Sequence, residues 1–288
     1  MVKKNNMKRS KYYSSSSPTL YLVATPIGNK KEFTPRAIET LKDMDYVGCE
    51  DTRTSGILFH DFGINVTLIP CHEHNENEAS LKLINYLLEG KKVAYVSDAG
   101  YPGISDPGSR LVTKALENDI NVVVIGGSSA FLLGLIGSGL PTDHFYFHGF
   151  LASKESARIK ELEKLKDKEE TLIFYESPHR ILDTIQNMLD VLGDRKACIA
   201  RELTKIHEEY IRGTLNELVA LDKDTLKGEM VIIVEGATLN EDNISDEEII
   251  AYVNSLIEQG LTKKSAIQQA SKTFGLAKNY VYELIIKK

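Results

Sequence analysis

The feature that most constrains this fold is a twelve-residue loop, Ser97-Asp98-Ala99-Gly100-Tyr101-Pro102-Gly103-Ile104-Ser105-Asp106-Pro107-Gly108. Its three glycines and two prolines exclude a helix or a regular strand, because glycine readily takes positive φ and proline fixes φ and has no N–H. Residues 92–96 before it are β-branched and aromatic enough for a buried parallel strand, and residues 110–118 after it repeat apolar side chains with a helical period. The loop therefore joins the carboxyl end of a parallel strand to a helix, which is where open α/β sheets bind small molecules.

Strands and helices alternate along residues 19–150, which predicts an α/β domain with a mostly parallel, doubly wound sheet covered on both faces. Thr34 and Pro35 form a helix start, because the first is an N-cap residue and the second is favoured at the first helical position. The expected strands are 20–25, 46–50, 66–70, 92–96, 121–125 and 145–150. The expected helices are 34–44, 54–62, 78–89, 110–118 and a segment that ends near Gly139. The apolar residues expected on one face of helix 78–89 are Leu81, Ile84, Leu87 and Leu88.

A second α/β domain is expected over residues 154–236, with a polar linker at 238–245 and a helical domain at 245–288. The last three strands of the second domain have only one helix among them, so its sheet is predicted to be mixed. Its expected strands are 171–175, 196–200, 209–212 and 229–234, and its helices are 154–168, 178–192 and 215–221. Three short helices follow, at 246–258, at 263–274 with Gly275 as cap, and at 277–287. This helical triplet resembles a helix-turn-helix, and a packing lid is the alternative.

The charge of the chain is unevenly distributed, although the total is only −6. Residues 1–18 carry five basic side chains and no acidic one, which predicts a disordered basic tail, and residues 261–288 also carry +5, which leaves −16 on the residues between. Basic ends on an acidic body either guide the protein to a polyanion or are simply solvated. The chain has no apolar run of about eighteen residues, so no membrane span is expected. Three widely spaced cysteines are typical of reduced thiols in a cytoplasm.

Several common kinds of site are absent from the sequence. No G-x-G-x-x-G motif follows a strand and there is no P-loop motif, which argues against the usual dinucleotide and nucleotide folds. Cys71, His72 and His74 lie close in sequence without a second ligand cluster, so a polar loop is preferred over a metal site. What remains is a set of loops at the carboxyl ends of strands in both domains, which predicts a cleft between them.

Six of these segments, in order, resemble the tetrapyrrole-methylase superfamily, and within it the branch of 16S ribosomal RNA (cytidine-2′-O)-methyltransferases. The resemblance covers residues 19–236 and implies two α/β domains in the arrangement of that family. The segments are Leu22-Val23-Ala24-Thr25-Pro26-Ile27-Gly28, Glu50-Asp51-Thr52-Arg53, Ser97-Asp98-Ala99-Gly100, Asp106-Pro107-Gly108, Glu176-Ser177-Pro178-His179-Arg180 and Ala200-Arg201-Glu202-Leu203-Thr204-Lys205.

The resemblance implies S-adenosylmethionine in the interdomain cleft, a cytidine in the decoding region of 16S rRNA within the small ribosomal subunit as substrate, a homodimer and no metal. Asp98 is expected to place a negative charge near the sulfonium or near a hydroxyl of the ligand, and Ser129 and Ala130 to open a helix whose amides favour the carboxylate. The implied cofactor-binding residues are Pro26, Gly28, Asp98, Gly100, Gly103, Ser105, Asp106, Ser129, Ala130, Tyr175 and Met230. The implied substrate-binding residues are Asp51, His179, Arg180, Arg201 and Lys205, and the candidate catalytic residues are Glu176, Glu202 and Arg53.

Some alternatives remain open at this level. Glu176 or Glu202 is a candidate general base, or a basic side chain favours the oxyanion, and a structural ion pair of Glu202 with Lys205 is an equal alternative. A methyltransferase acting on a tetrapyrrole or corrin precursor and a non-catalytic RNA-binding protein are the two alternative functions. Two departures from the family pattern stand out: Gly126-Gly127-Ser128 replaces a proline-bearing turn beside the expected cofactor, and Ala152 replaces a proline between the domains.

Overall fold

The computed structural model describes residues 17–238, 245–274 and 276–286. Of these residues, those up to Gly236 form one compact unit and those from Ala237 onward form another. Across the described ranges, no helix is long and apolar enough to cross a membrane. Most of the predicted basic tail, the central part of the 238–245 linker, the Gly275 cap and Lys287 lie outside the described residues.

The first sheet contains five strands that are all parallel, as the alternating pattern predicted. Their spatial order is β3-β2-β4-β1-β5. Strand β4 lies at the centre with all four residues buried, which explains its unbroken apolar sequence. The strands are β1 (Thr19–Val23), β2 (Tyr46–Cys49), β3 (Thr67–Pro70), β4 (Val93–Val96) and β5 (Asn121–Ile125).

Five helices alternate with these strands. Thr34 caps the first of them as predicted, since its hydroxyl accepts a hydrogen bond from the Ala37 N–H at 3.2 Å. The helices are α1 (Pro35–Lys42), α2 (Thr52–Asp61), α3 (Glu76–Leu88), α4 (Ser109–Glu117) and α5 (Ala130–Ser138).

The predicted buried face of α3 was partly wrong. Leu81 and Leu88 are 55% and 54% exposed, whereas Leu83 is buried. The buried face of the helix includes the small residues Ala79 and Ser80 together with Leu83 and Leu87, which follow Ala79 at intervals of four residues. Leu81 and Leu88 lie on the solvent-facing side. In α4, Leu111 and Ala115 are buried as the helical period predicts, while Leu116 is exposed.

The second sheet is mixed, which confirms the prediction, with the order β6-β7-β10-β8-β9. Only the β6–β7 pair is parallel. Its strands are β6 (Phe145–Phe150), β7 (Thr171–Glu176), β8 (Lys196–Arg201), β9 (Glu209–Thr214) and β10 (Met230–Val234). Helix α5 packs on one face of this sheet. The helices on the opposite face are α6 (Glu155–Glu163), α7 (Ile181–Leu192) and α8 (Leu215–Val219).

The assignment of residues 145–150 to the first set of strands was wrong, because β6 is hydrogen bonded to β7 in the second sheet. The cause lies in α5, which is apolar on almost every side. Leu135 of this helix packs with Val231 and Ile233 of β10, and a Cβ on Gly134 would lie 3.2 Å from Val231. Helix α5 therefore covers the second sheet, and the strand that follows it, β6, lies at the edge of that sheet.

The described residues of the C-terminal unit form three helices, as predicted. Ser245 starts the first one through a capping box with Glu248. The helices are α9 (Asp246–Glu258), α10 (Lys263–Phe274) and α11 (Lys278–Ile286). Their shared core consists of Ile249, Val253, Leu256, Ala266, Ile267, Ala270 and Val281. A nucleic-acid-binding role for this unit stays a prediction.

Candidate active site

A cavity of about 460 Å³ lies where loops of the two sheets converge. The first sheet contributes the loops that follow β1, β4 and β5, and the second contributes residues after β7 and β8 and before β10. This is the convergence of strand ends that the sequence predicted. The residues that line the cavity are Ile27, Ala99, Gly100, Tyr101, Ile104, Ser105, Asp106, Ser129, Ala130, Phe150, Tyr175, Glu176, Ser177, Pro178, Ala200, Glu202, Leu203, Lys205, Gly228, Glu229, Met230 and Val231.

The loop after β4 is fixed to the loop after β1 by the backbone. The Thr25 N–H donates to the Gly100 carbonyl at 2.9 Å, and the Gly100 N–H donates to the Thr25 carbonyl at 3.1 Å. The Thr25 hydroxyl also donates to the Ser97 carbonyl at 3.1 Å. Gly100 has a φ of +76°, which other residues adopt only with strain. The glycine is therefore required by the turn that brings the main chain to the cavity wall.

The loop after β5 is held by Tyr101. The Tyr101 hydroxyl accepts from the Gly127 N–H at 3.0 Å and donates to the Gly127 carbonyl at 3.1 Å. A Cβ on Gly127 would lie 2.8 Å from the Cβ of Ala24, so the position also has no room for a side chain. The Gly126-Gly127-Ser128 segment that departs from the family pattern is thus anchored by a tyrosine hydroxyl. Ser128 adds a hydrogen bond to the carboxylate of Glu32.

Tyr175 joins the second sheet to the start of α5. Its ring packs in the same apolar cluster as Ala130 and Phe131 of α5, and the N-cap residue Ser129 makes no capping bond with its side chain. Burial, with the nearby Asp106 acting in the same direction, raises the pKa of Tyr175 to about 12, so the hydroxyl is neutral at physiological pH. The Ser129 side chain therefore leaves the amides at the helix start uncapped.

Asp106 is a half-buried carboxyl in the cavity wall. Burial, together with the nearby charges of Glu50 and Asp98, raises its pKa to about 6. No lysine or arginine of the described chain contributes to this balance.

Both carboxylate oxygens of Glu176 accept hydrogen bonds. One oxygen accepts from Arg180 Nη2 at 2.7 Å, from Arg180 Nε at 3.0 Å and from the Ser177 N–H at 2.7 Å. The other oxygen accepts from the Thr184 hydroxyl at 2.7 Å. The Glu176 side chain is fully buried, and Arg180 Nη1 is a buried donor without a hydrogen-bond partner. Glu176 thus positions Arg180 and leaves the Nη1 of Arg180 without a hydrogen-bond partner.

Lys205 bridges two carboxylates at another part of the wall. Its Nζ lies 2.9 Å from Glu202 Oε1 and 3.1 Å from Glu229 Oε2. The hydrogen bond from Lys205 lowers the pKa of Glu202. Burial opposes the charge of Lys205, but its two carboxylate partners outweigh burial and raise its pKa. The sequence left open whether Glu202 is a general base or forms an ion pair with Lys205, and the structure contains this ion pair.

The backbone around this ion pair is strained. Glu202 and Thr204 have φ values of +48° and +68°. Gly228 has a φ of +85°, and a Cβ there would lie only 2.2 Å from Glu202 Oε1. Glycine at 228 is therefore needed for both its conformation and its space.

Ten of the predicted site residues line the cavity, and the others lie outside its lining. Pro26 and Gly28 flank the lining residue Ile27, and a Cβ on Gly28 would lie 2.5 Å from Lys205 Cγ. The predicted residues in the lining are Gly100, Ser105, Asp106, Ser129, Ala130, Tyr175, Glu176, Glu202, Lys205 and Met230. Those outside it are Pro26, Gly28, Asp51, Arg53, Asp98, Gly103, His179, Arg180 and Arg201.

Arg53 and Asp98 are both connected to Asp51. Arg53 Nε lies 3.2 Å from Asp51 Oδ1 and Nη2 lies 2.8 Å from Oδ2, with the arginine side chain 88% exposed. These hydrogen bonds lower the pKa of Asp51 to about 2. The Asp51 N–H donates to Asp98 Oδ1 at 3.2 Å, so Asp98 braces the loop after β2. Arg201 Nε donates to Glu209 Oε2 at 2.6 Å, and Arg201 Nη1 donates to the Lys227 carbonyl at 2.9 Å.

Sequence reasoning missed most of the apolar lining and the Gly228-Glu229 pair. Ile27, Leu203 and Ile104 adjoin predicted residues, so proximity in sequence was an available signal for them. Gly228 and Glu229 come directly before a buried strand and belong to no recognised motif. Their place in the site depends on the pairing of β10 with β8, which brings residue 229 beside residue 202.

The cysteines and histidines form no metal centre in the described part of the chain, where no group of three or more His, Cys, Asp or Glu side chains has a suitable arrangement. Cys49, Cys71 and Cys198 are buried free thiols. Burial raises the pKa of each thiol to about 11, so they are unreactive at neutral pH.

Comparison with known proteins gives one consistent result. The sequence profile of the tetrapyrrole (corrin/porphyrin) methylases matches residues 19–219. The small-subunit ribosomal RNA methyltransferase I of Halalkalibacterium halodurans is 45% identical, with 92% of this chain and 94% of that protein covered. The protein of the same name from Bacillus subtilis is 42% identical, with 92% of each chain covered.

Solved structures of methyltransferases share the fold at much lower identity. The crystal structure of the methyltransferase CobJ aligns with a TM-score of 0.58 at 18% identity, and covers 77% of this chain and 95% of its own. The uroporphyrin-III-C-methyltransferase of Thermus thermophilus aligns with a TM-score of 0.55 at 18% identity, and covers 76% of this chain and 94% of its own. At these identities the likeness concerns the fold.

Proposed function

Because the chain belongs to the tetrapyrrole (corrin/porphyrin) methylase family, we propose that it uses S-adenosylmethionine to methylate the ribose 2′-hydroxyl of a cytidine in 16S rRNA of the small ribosomal subunit. The observation that carries this proposal is the 42–45% identity, over nearly the whole of each chain, to proteins named as small-subunit ribosomal RNA methyltransferases. The choice of a cytidine in the decoding region and of its 2′-hydroxyl rests on the resemblance of the loop motifs.

The cavity residues fit S-adenosylmethionine by their chemistry. Apolar walls that include Ile27, Leu203 and Met230 suit a flat adenine, and the amides at the start of α5 suit a carboxylate. Asp106 is a carboxyl that has no cationic partner among the described residues, which suits a positively charged ligand. When bound, S-adenosylmethionine supplies an electrophilic methyl group whose carbon–sulfur bond breaks with its electron pair going to sulfur.

The protein has two tasks in this reaction, to align the ribose hydroxyl and to remove its proton. Alignment of reacting groups contributes up to roughly 7–11 kcal/mol in well-oriented systems. We propose that Glu202 and Lys205 act on the hydroxyl, because both line the cavity and the lysine can hold developing negative charge on oxygen. Glu176 already accepts four hydrogen bonds, so we propose that it positions Arg180 and does not itself take the proton.

Basic groups outside the cavity lining are proposed to contact the RNA. Arg53 presents an exposed guanidinium held in place by Asp51, whereas the unpartnered Nη1 of Arg180 is buried and reaches RNA only if its side chain moves. Phosphates prefer such arginines because the planar guanidinium donates two parallel hydrogen bonds. His179 precedes Arg180 in sequence, Arg201 is the last residue of β8, and the lysines of α10 and α11 add positive charge in the C-terminal unit. The homodimer and a cytoplasmic location rest on the resemblance and on the buried free thiols.

The experiment that tests this function supplies radiolabelled S-adenosylmethionine with either of two substrates. The first is small ribosomal subunits from cells that lack the protein, and the second is a uroporphyrin-type tetrapyrrole. We expect label in 16S rRNA that survives alkaline hydrolysis as a dinucleotide, because a 2′-O-methyl group blocks cleavage of the adjacent phosphodiester. Label in the tetrapyrrole, or in neither substrate, would contradict the proposal.

A further inference from the structure

The charged side chains that line the cavity are almost all paired. Glu176 pairs with Arg180, and Glu202 and Glu229 share Lys205. Asp106 is the exception in the lining, because no lysine, arginine or histidine of the described residues forms an ion pair with it, and the nearby Ser97 hydroxyl donates to the Ala99 and Gly100 carbonyls. A carboxylate taken from water without a cation carries a free-energy cost, which a cationic ligand relieves.

The surroundings of Asp106 increase this demand for a cation. Two like charges, Glu50 at the end of β2 and Asp98 in the same loop, act on it, and Tyr175, which also lines the cavity, is neutral. The other acidic residue proposed for the cation was Asp98, but Asp98 lies outside the lining and accepts a hydrogen bond from the Asp51 N–H. Asp106 is thus the carboxyl of the lining that is left to meet a ligand's positive charge.

We propose that Asp106 recognises the positive charge on the sulfur of the methyl donor and so distinguishes the donor from the demethylated product. This inference rests on the proposed function. S-adenosylmethionine and S-adenosylhomocysteine have the same adenosine, amino and carboxylate groups, and they differ in the methyl group and the charge on sulfur. A carboxylate beside that sulfur favours the donor, and it loses this attraction once the methyl group has left.

A simpler proposal is that Asp106 binds the amino group of the ligand, and the two proposals predict different affinities for donor and product. A carboxyl that binds the amino group of the ligand would strengthen the binding of donor and product equally, because both carry the amino group. A carboxyl beside the sulfur strengthens only the binding of the donor, or of an analogue such as sinefungin with a protonated amine at that place. The ratio of the affinities for donor and product therefore reports which group Asp106 meets.

The test is isothermal titration calorimetry of the full chain at pH 8 with S-adenosylmethionine, S-adenosylhomocysteine and sinefungin. The variant is Asp106→Asn, which keeps the shape and removes the charge, and Asp106→Glu is a second variant that keeps the charge. Asp190→Asn is a matched control, since Asp190 lies on α7 and accepts only from Gln186 at 2.8 Å. Thermal unfolding of each variant verifies that it is folded.

We expect Asp106→Asn to weaken binding of the donor and of sinefungin at least tenfold, and binding of the product less than twofold. Asp106→Glu should keep most of the preference, and Asp190→Asn should match the wild type for every ligand. Equal weakening of donor and product, or no change in either, would overturn the inference while leaving the proposed function standing. Failure of the wild-type protein to bind either nucleoside would instead contradict the proposed function.

Discussion

The hydroxyl of Tyr101 and the main chain of Gly127 form two hydrogen bonds, at 3.0 and 3.1 Å, that join the loop after β4 to the loop after β5. Both loops line the cavity, and the second one leads into α5. One side chain therefore fixes the distance between the turn at Gly100 and the helix start that we assign to the carboxylate of the donor.

Replacement of Tyr101 by phenylalanine is expected to loosen this connection. It leaves a partly buried N–H and carbonyl without their partner, which costs about 1–3 kcal/mol. We expect the free energy of unfolding to fall by about that amount, and the affinity for S-adenosylmethionine to fall several-fold. Chemical denaturation and calorimetry measure the two effects. Tyr86→Phe is the control, because Tyr86 stacks on Tyr46 in a different part of the first sheet domain. Wild-type affinity in Tyr101→Phe would show that the connection does not shape the site.

Gly228 is expected to be intolerant of even one added methyl group. An alanine there has a φ of +85° and a Cβ that overlaps Glu202 Oε1 at 2.2 Å, so it displaces the carboxylate from Lys205. Strain in this conformation costs roughly 1–2 kcal/mol. Gly139→Ala is the matched control, since Gly139 has nearly the same φ, +82°, in the left-handed helical region, with nothing within 4 Å of the added carbon. We expect both variants to lose stability through backbone strain, Gly228→Ala to lose more because of its overlap with Glu202, and only Gly228→Ala to lose methyl-transfer rate. Equal rates in the two variants would contradict a role for the Glu202–Lys205 pair.

The pH dependence of donor binding follows from Asp106. Burial raises its pKa to about 6, so the carboxyl becomes protonated below pH 6 and the cavity loses the charge that attracts a cation. We expect the affinity for S-adenosylmethionine to be constant above pH 7 and to fall about tenfold per pH unit well below pH 6. The affinity for S-adenosylhomocysteine should change little over the same range. Calorimetry from pH 5 to pH 8 tests this, and a profile that persists in Asp106→Asn would assign the effect to another group such as Glu50.

The raised pKa of Asp106 also predicts an effect on the unliganded protein. A carboxyl whose pKa is higher in the folded state destabilises the fold above that pKa, and the penalty disappears as the pH falls below it. At pH 8 we therefore expect Asp106→Asn to raise the free energy of unfolding, by an amount of the order of 1 kcal/mol after allowance for solvent screening. A stabilising substitution that weakens ligand binding is typical of a functional site.

Glu176 and Arg180 are expected to behave as a coupled structural pair. Arg180→Met leaves the buried Glu176 carboxylate without its cation, and breaking a buried pair in this way costs about 3–5 kcal/mol. The double variant Glu176→Gln with Arg180→Met removes both charges and should recover much of that loss. Urea denaturation of the two single variants and the double variant measures the coupling. If Glu176→Gln alone abolishes methyl transfer in a fully stable protein, then Glu176 acts on the substrate directly.

The parts of the fold that sequence predicted well are those governed by local chemistry. The Thr34 cap, the glycines and prolines of the 97–108 loop and the unbroken apolar run of β4 each specify their structure within a few residues. The convergence of the loops followed from the parallel strand order, because parallel strands end at one edge of a sheet.

The errors arose where packing at a distance decides the outcome. Strand β6 joined the second sheet because α5 packs on β10, which the periodicity of residues 145–150 does not reveal. Leu81 and Leu88 are exposed because Ala79 and Ser80 allow α3 to approach the sheet on another face. The same limit applies to the site: the lack of a cation beside Asp106 depends on which partners Lys205 and Arg180 take, and those partners are set by the tertiary structure.

The most direct test of the central claim is a map of ribose methylation in 16S rRNA. Small subunits would be isolated from cells with and without this protein, and the depleted subunits would then be treated with purified protein and S-adenosylmethionine. We expect one 2′-O-methylated cytidine that disappears with the protein and returns on treatment, and that does not return with Gly228→Ala. An identical methylation map in the two kinds of cell would contradict the proposed function.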